Sequence, residues 1–207
     1  MAYRPTAKTE ARRAAQHKQL LEAAIRLVSQ GGFAALTIQA VAQEAGIATG
    51  TVYKYFKDKA SLCAEVFKLC TIKEVEQVRS ATHDTNQTNL KDRLCYSIRV
   101  FAERAIQGRR LAYALIAEPV DALVDAERLI YRKAYADIWQ GLIEEGMASG
   151  ECPQQIASVS AAALVGVVAE SLVGPLAMAE DDRLAIEKDQ LIGAIQDFCW
   201  RAISQAK

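Results

Sequence analysis

Hydroxyl, phenol and basic side chains follow one another between residues 49 and 54, at spacings that suit contact with a nucleic acid. A helix predicted over residues 49–55 directs these polar groups outward, because the apolar Val52 and Phe56 would face the preceding helices. Hydroxyl and basic groups bind base edges and phosphate oxygens, and Gly50 would let the backbone approach DNA closely. The candidate DNA-facing side chains are Thr49, Thr51, Tyr53 and Lys54.

A second short helix is predicted immediately before this segment, with Thr37 as its N-cap and Gly46 as its stop. Its apolar residues follow the spacing of one helical face and are Ile38, Val41, Ala42 and Ala45. Two short helices joined by a three-residue turn that contains glycine form a helix-turn-helix. A corner between two helices of a bundle, without any partner, is the alternative interpretation.

The distribution of charge favours DNA contact in the same part of the chain. The whole chain has 25 Lys or Arg and 25 Asp or Glu. Residues 1–60 hold nine basic and four acidic side chains, a net charge of +5, whereas residues 61–207 carry −5. A basic N-terminal part indicates an anionic partner, and a solvated charged surface is the alternative.

The residues before the first predicted helix add to this positive charge. A disordered arm would lay its basic side chains along phosphates or in a minor groove. A mobile, solvated terminus explains the same residues equally well. The candidate arm residues are Arg4, Lys8, Arg12 and Arg13.

Helical spacing continues through the rest of the chain, with no sustained alternation of period two. A first helix is predicted to end at Gly31-Gly32, and a long one to begin at Asp58. Beyond it, breakers separate helices predicted over about residues 90–107, 110–117, 122–148, 154–177 and 183–204. The sequence therefore predicts an all-α fold.

Composition argues against several other classes of protein. The N-terminus has no apolar signal region, and the longest apolar run, residues 161–169, is too short for a membrane span of about 18–20 residues. Five cysteines without a Cys-x-x-Cys pair and two histidines do not suggest a disulfide framework or a metal site. No phosphate-binding loop or nucleophile elbow is found. We therefore expect a cytoplasmic protein that is not an enzyme, uses no cofactor or metal and binds no membrane.

Cys63 and Cys70 are seven residues apart on one predicted helix. A rise of 1.5 Å per residue separates their Cα atoms by about 10 Å, too far for a disulfide. Both are predicted to be buried, free thiols.

The run from Gly31 to Leu62 closely resembles the N-terminal domain of the TetR (tetracycline repressor) family. The elements that carry the resemblance stand in register and are Ala45-Gly46, Gly50-Thr51, Tyr53-x-Tyr55-Phe56 and Lys59-x-x-Leu62. The resemblance implies a three-helix DNA-binding domain over residues 1–59, of which residues 1–12 form a flexible arm. It also implies a larger helical domain for effector binding and dimerisation over residues 60–207.

The family implies a homodimeric transcriptional regulator, most often a repressor that a small-molecule effector releases from an inverted-repeat operator in double-stranded DNA. An activator, or a helical interaction module without an effector, is the alternative. By position, Thr37 and Lys59 resemble phosphate contacts. The implied DNA-facing set is Thr49, Gly50, Thr51, Tyr53, Lys54 and Tyr55. The family often has Ser or Thr where this chain has Ala48, so Thr49 is a second candidate for the N-cap, in competition with base reading.

Two apolar helices near the C-terminus are the implied dimer interface. Residues 161–169 are apolar on all sides and rich in small side chains, so that helix must be buried. In the family the last two helices form a four-helix bundle with a second copy, and an intrachain core is the alternative. The candidate interface residues are Leu164, Val167, Val168, Ile195, Phe198 and Cys199.

Aromatic residues on the middle helices are candidates for an effector pocket, with ordinary core packing as the alternative. They are Tyr96, Phe101, Tyr113, Tyr131, Tyr135 and Trp139. Glu118 and Glu170 lie near apolar stretches and would pair with a cationic ligand or with surface bases. The aromatic lining and the scarcity of fixed charge predict a small, largely apolar effector, with aromatic compounds as one class.

Overall fold

The computed structural model describes residues 7–177 and 186–204. These residues form nine α-helices and no strand, so the all-α prediction is confirmed. In chain order the helices are α1 (Ala7–Ala35), α2 (Ile38–Glu44), α3 (Thr49–Val52), α4 (Lys59–Thr82), α5 (Leu90–Gln107), α6 (Arg109–Ile116), α7 (Ala122–Ser149), α8 (Ala157–Ala177) and α9 (Lys188–Ile203).

The first four helices enclose an N-terminal core. Val28 of α1, Val41 of α2 and Leu62 of α4 are fully buried in it. Val52 is also fully buried, and Phe56 is 2% exposed. These two residues therefore face the preceding helices, as their spacing predicts, and the opposite side of α3 is left at the surface.

Helix α1 begins earlier than the flexible arm predicted over residues 1–12 would allow. Residues 7–12 are helical, which corrects the prediction for that part of the arm, while Arg4 lies outside the described residues. This stretch is built of Ala, Lys, Glu and Arg with one Thr, and the first four are strong helix formers. Lys8, Arg12 and Arg13 are consequently exposed on the surface of a helix.

Side-chain caps determine where α2 and α4 begin. The Thr37 hydroxyl accepts the backbone N–H of Ala40 at 3.0 Å, as predicted. The Asp58 carboxylate accepts the N–H of Ser61 at 2.8 Å, and the Ser61 hydroxyl accepts the N–H of Asp58 at 3.2 Å, which completes a capping box. The hydrogen bonds from Ser61 lower the pKa of the Asp58 carboxyl.

Helix α3 is shorter than the predicted residues 49–55. Its N-cap is Ala48, which has no capping side chain, so Thr49 does not serve as the cap and is exposed. Beyond Val52 the chain forms a tight turn, in which the N–H groups of Tyr55 and Phe56 donate to the Val52 carbonyl at 2.9 and 3.0 Å. This turn leads directly to the start of α4.

Helices α5, α7, α8 and α9 enclose a second core. Trp139, Ile143, Leu164, Leu172 and Ile192 are at most 1% exposed there. Helix α5 covers the predicted residues, α8 begins three residues later than predicted, and the predicted start of α9 lies outside the described residues. Helix α8 has the length and hydropathy of a membrane span, but one side of it packs in this core, as in the central helix of a bundle.

Helix α6 connects the two cores. It packs against α1 on one side and against α8 on the other. Ala114 is fully buried in the N-terminal core, while Ala112 and Ile116 pack against the second core. A displacement of α6 would therefore alter the packing of both cores.

The five cysteines are free. Cys63 and Cys70 are buried, as predicted. Burial raises the pKa of both thiols to about 11, so both are protonated at neutral pH.

Candidate DNA interface and ligand cavity

The outer side of α3 presents most of the residues predicted to contact DNA. The exposed ones are Thr49, Gly50, Tyr53 and Lys54, and Thr51 is half-buried. Tyr53 is 56% exposed although the preceding Val52 is fully buried. A short helix that is anchored by its apolar residues and directs hydroxyl, phenol and ammonium groups outward has the form of a recognition helix.

Tyr55 is placed differently from the rest of this set. Its ring is half-buried against His17, with the ring centroids 5.8 Å apart. Its hydroxyl donates to the Gln16 side chain at 2.8 Å. This hydroxyl thus ties the turn after α3 to α1, and a DNA contact through it would add to that structural role.

Two further candidate contacts flank α3. Thr37 and Lys59 are exposed at the first turns of α2 and α4. Because the Thr37 oxygen accepts a backbone N–H, its own proton can be donated to a phosphate. Lys59 is the first residue of α4, where the helix dipole adds to its positive charge.

A cavity of about 370 Å³ lies among α4, α5, α6, α7 and α8. That volume is within the range of small-molecule sites. Most of its wall is apolar, with Phe67, Leu111, Ile116 and Val168 among the lining residues. Ile25 of α1 also lines it, so the cavity borders the N-terminal core as well.

Four of the eight candidate pocket residues line this cavity, namely Phe101, Tyr131, Tyr135 and Trp139. Trp139 is 1% exposed, and its indole N–H donates to the hydroxyl of the buried Ser97 at 3.1 Å. The rings of Phe101 and Tyr135 meet edge to face at 5.3 Å. Burial raises the pKa of the Tyr135 phenol, which keeps it neutral at pH 7.

The other four candidates, Tyr96, Tyr113, Glu118 and Glu170, do not line the cavity. Tyr113 packs against the outside of the second core, and Glu170 is exposed on α8. Glu118 is buried against α1. Periodicity assigns a residue to a face of its own helix but does not say which neighbour that face meets.

Charged residues around the cavity correct the expectation of a pocket with little fixed charge. They are Lys73, Glu74, Arg104, Arg128 and Arg132. Arg104 binds Glu74 through two hydrogen bonds of 2.6 and 2.8 Å. Lys73 and Arg132 are exposed and form no ion pair within the described part of the chain. These bases are scattered over three helices, so no sequence signal groups them into the cationic rim that they form in the fold.

Arg128 occupies the side of the cavity next to α6. Its Nε donates to the carbonyl of Leu115 at 3.1 Å and its Nη2 to the carbonyl of Glu118 at 2.9 Å. The guanidinium carbon lies 5.8 Å from the centroid of the Phe67 ring, within cation–π range. Burial lowers the pKa of this guanidinium. Arg128 thus lines the cavity and also holds the C-terminal end of α6.

Glu118 connects the same corner to α1. Its carboxylate accepts the backbone N–H groups of Phe33 at 3.1 Å and Ala34 at 3.0 Å. Between them and the body of α1 lies Gly32, whose φ of 70° breaks the helix. Arg110 of α6 adds a hydrogen bond to the Gly31 carbonyl at 2.8 Å. The end of α1 that leads into α2 is therefore held by α6 and the loop after it.

The candidate dimer residues divide into two groups. Leu164, Val168, Ile195 and Cys199 are at most 4% exposed within this one chain, so they belong to its own core, the alternative that the sequence left open. Val167 is half-buried, and Phe198 is 54% exposed. Apolar or small residues exposed on α8 and α9 within this chain include Phe198, Val159, Ala162 and Ala163.

Comparison with known proteins finds a family model that matches the N-terminal helices and relatives that match a larger part of the chain. Residues 20–66, which include α2, α3 and the start of α4, match the family model of bacterial regulatory proteins, tetR family. The fatty acid metabolism regulator protein of Bacillus subtilis (strain 168) is 25% identical, with 66% of this chain and 70% of that protein covered. The HTH-type transcriptional repressor KstR2 of Rhodococcus jostii (strain RHA1) is 24% identical over 70% of this chain and 72% of that protein.

A similar fold occurs in a solved structure. The crystal structure of the transcriptional regulator FadR from Bacillus subtilis in complex with stearoyl-CoA superposes with a TM-score of 0.73. It covers 92% of this chain and 100% of that one at 19% identity. The likeness shows a shared fold.

Proposed function

We propose that this chain, whose residues 20–66 match the family model of bacterial regulatory proteins, tetR family, is a homodimeric repressor that an acyl-CoA-class effector releases from an inverted-repeat operator. Like its relatives, the chain is a DNA-binding transcriptional regulator and not an enzyme. Its proposed site of action is DNA in the cytoplasm. The proposed division is a DNA-binding domain over residues 1–59 and an effector and dimerisation domain over residues 60–207.

The observation that carries the effector class is the pairing of an apolar cavity wall with a cationic rim. An acyl-CoA joins an apolar chain to a headgroup that bears phosphates. The apolar wall suits the chain, and the exposed Lys73 and Arg132 suit the phosphates. The stearoyl-CoA bound to the Bacillus subtilis regulator supports the same class of ligand.

The proposed route from ligand to DNA passes through Arg128 and Glu118. A ligand in the cavity would displace Arg128 or the wall formed by α6, and both support the loop that carries Glu118. Because Glu118 holds the end of α1, this displacement would alter the placement of α2 and α3. The ligand must bind the DNA-incompetent arrangement more tightly, and a typical coupling is about 1–3 kcal/mol.

The proposed dimer follows from the open apolar surface on α8 and α9. Phe198 and Val159 are more than half exposed, and the small side chains of Ala162 and Ala163 allow helices to approach closely. A two-fold axis there would present two copies of α3. Those two copies would read half-sites about 34–36 Å apart, or a multiple of that distance.

Selection of bound fragments from random double-stranded DNA by the full chain tests the proposed function. We expect enriched fragments with inverted repeats, and we expect palmitoyl-CoA to weaken binding about 5–150-fold in fluorescence anisotropy. CoA without an acyl chain is the control and should have little effect. Enrichment of single half-sites would contradict the dimeric reader, and equal effects of palmitoyl-CoA and CoA would contradict the proposed use of the apolar cavity.

A further inference from the structure

Two hydroxyl groups that line the cavity have no partner within the described residues. Thr71 of α4 is 6% exposed, and its Oγ1 is the one buried side-chain oxygen or nitrogen there without a hydrogen bond. Tyr135 of α7 is 8% exposed, and no hydrogen bond to its hydroxyl is formed in that part of the chain. Buried polar groups are nearly always satisfied, so the unpaired Thr71 oxygen requires an explanation, and the Tyr135 hydroxyl is a second group at the same cavity without a protein partner in the part of the chain that the structure describes.

Their surroundings do not supply a partner from the protein. The Glu74 carboxylate, one turn along α4 from Thr71, is bound by both Arg104 nitrogens. The indole N–H of Trp139 is bound to Ser97. The Tyr131 hydroxyl donates to the Lys68 carbonyl at 3.4 Å. Glu74, Trp139 and Tyr131 are therefore engaged elsewhere, while Thr71 and Tyr135 are left to bind what enters the cavity.

We propose that the hydroxyls of Tyr135 and Thr71 recognise an oxygen atom on the apolar part of the effector, so that the site selects an oxygenated chain over a plain hydrocarbon. This inference rests on the proposed effector function and makes it narrower. In an acyl-CoA that oxygen is the thioester carbonyl, to which either hydroxyl can donate. A hydroxyl on the acyl chain offers the same chemistry, since it both accepts and donates.

The selectivity follows because an alkyl ligand would leave the cavity hydroxyls without a hydrogen-bond partner. A ligand without the oxygen would cover the Tyr135 hydroxyl and keep it from water, and it would leave the Thr71 hydroxyl without a partner. A site built to bind an oxygen rejects the analogue that lacks it for this reason. The raised pKa of the Tyr135 phenol is consistent with this role, because a neutral phenol remains a donor at physiological pH.

The experiment compares palmitoyl-CoA with its thioether analogue hexadecyl-CoA, which lacks the carbonyl, by titration calorimetry on the full chain. Wild-type protein should bind the thioester more tightly. Tyr135→Phe and Thr71→Val should each weaken thioester binding about 5–10-fold, as expected for one lost hydrogen bond, and leave thioether binding unchanged. Tyr113→Phe is the control and should change neither affinity, because this tyrosine packs against the second core but does not line the cavity.

Two further measurements separate this inference from the effector class. Comparing the affinities for a 3-hydroxyacyl-CoA and the unsubstituted acyl-CoA shows whether the recognised oxygen is a hydroxyl on the chain or the thioester carbonyl. If wild-type protein binds no CoA ligand, the proposed effector class is wrong. The affinities for 2-undecanone and undecane then test the two hydroxyls with ligands that have no CoA group. The proposal would be overturned if Tyr135→Phe changed the affinity for both members of the tested ligand pair equally, or for neither of them. It would also be overturned if none of these molecules bound.

Thermal unfolding of the ligand-free protein tests the assignment of Thr71 without any effector. Thr71→Val removes a hydroxyl that has no partner and should not lower the midpoint of unfolding. Thr71→Ser keeps the hydroxyl and should retain thioester selectivity. A clear loss of ligand-free stability in Thr71→Val would show that the hydroxyl has a partner in the protein, which would also overturn the assignment of Thr71.

Discussion

The carboxylate of Glu118 lies 3.1 Å from the backbone nitrogen of Phe33, although 85 residues separate them in the chain. Gly32 leaves the helical region at φ 70°, and the N–H groups of Phe33 and Ala34 take the carboxylate as their acceptor. Arg128 binds the backbone carbonyl of Glu118 from the cavity side. One acidic residue thus lies between the cavity and α2 and α3, the helices proposed to contact DNA.

We expect Glu118→Ala to destabilise the protein by about 1–3 kcal/mol, because it leaves buried N–H donors unpaired. It should also reduce the factor by which palmitoyl-CoA weakens DNA binding. Denaturant unfolding and anisotropy titrations measure the two effects. Glu170→Ala, which removes an exposed acid from α8, is the control and should change neither quantity. Unchanged coupling in a folded Glu118→Ala protein would exclude this residue from the route.

Gly32→Ala should destabilise the protein more than Gly150→Ala. Gly150 is left-handed helical, which costs a residue with a Cβ about 1–2 kcal/mol, whereas Gly32, with φ 70° and ψ −172°, lies in a region that essentially only glycine adopts. At Gly32 the new methyl would also meet the Glu118 carboxylate and the Arg110 guanidinium, whereas the space around Gly150 is open. Midpoints of thermal unfolding compare the two variants, and equal losses would show that crowding at Gly32 is relieved.

Lys59→Ala should weaken binding to all DNA sequences and reduce the slope of log affinity against log salt by about 0.9. Lys54→Ala and Tyr53→Ala should instead weaken binding most at the selected operator, since both side chains project from α3. Anisotropy titrations at several salt concentrations distinguish the two behaviours. Lys91→Ala, an exposed lysine on α5, is the matched control. A Tyr53→Ala variant with wild-type operator affinity would remove Tyr53 from the reading set.

Trp139→Phe should abolish most of the ligand-induced change in tryptophan fluorescence. The indole lines the cavity and is 1% exposed, whereas Trp200 lies on α9. The variant should bind operator DNA normally, at a modest cost in stability from the lost hydrogen bond to Ser97. Trp200→Phe should keep the signal. A change that survives undiminished in Trp139→Phe would place the ligand elsewhere.

Phe198→Glu should convert the proposed dimer to a folded monomer. The ring is 54% exposed within one chain, so the substitution does not disturb the core. In a dimer through α8 and α9, the new carboxylate would lose its hydration in an apolar surface at a cost of several kcal/mol. Light scattering and circular dichroism report the mass and the helix content. Leu164→Glu places a carboxylate in the buried core instead and should unfold the chain. A dimeric Phe198→Glu protein would show that the interface lies elsewhere.

The helices of the proposed DNA interface could be predicted from the sequence because their signals are local. Thr37 and Asp58 cap helices through hydrogen bonds that span three residues, and the fold keeps both. Val52 and Phe56 lie one turn apart, so their burial settles which side of α3 is exposed. The length of α3 was overestimated, since spacing cannot distinguish a helical turn from the tight turn that follows Val52.

Contacts between groups that are far apart in the chain are determined by the tertiary structure alone. Periodicity placed Tyr131, Tyr135 and Trp139 on one face of α7, but the packing of α4 to α8 determined that this face borders a cavity and that Tyr113 does not. The same packing brought Lys73, Arg104 and Arg132 to one rim and turned Leu164 and Cys199 into the chain's own core. The sequence alone suggests that Glu118 pairs with a cationic ligand or with surface bases, because its actual partners lie 84 and 85 residues away in the chain. Spacing along a helix specifies local backbone geometry, whereas the neighbours of a buried side chain depend on how whole helices pack, and that packing is a property of the complete fold.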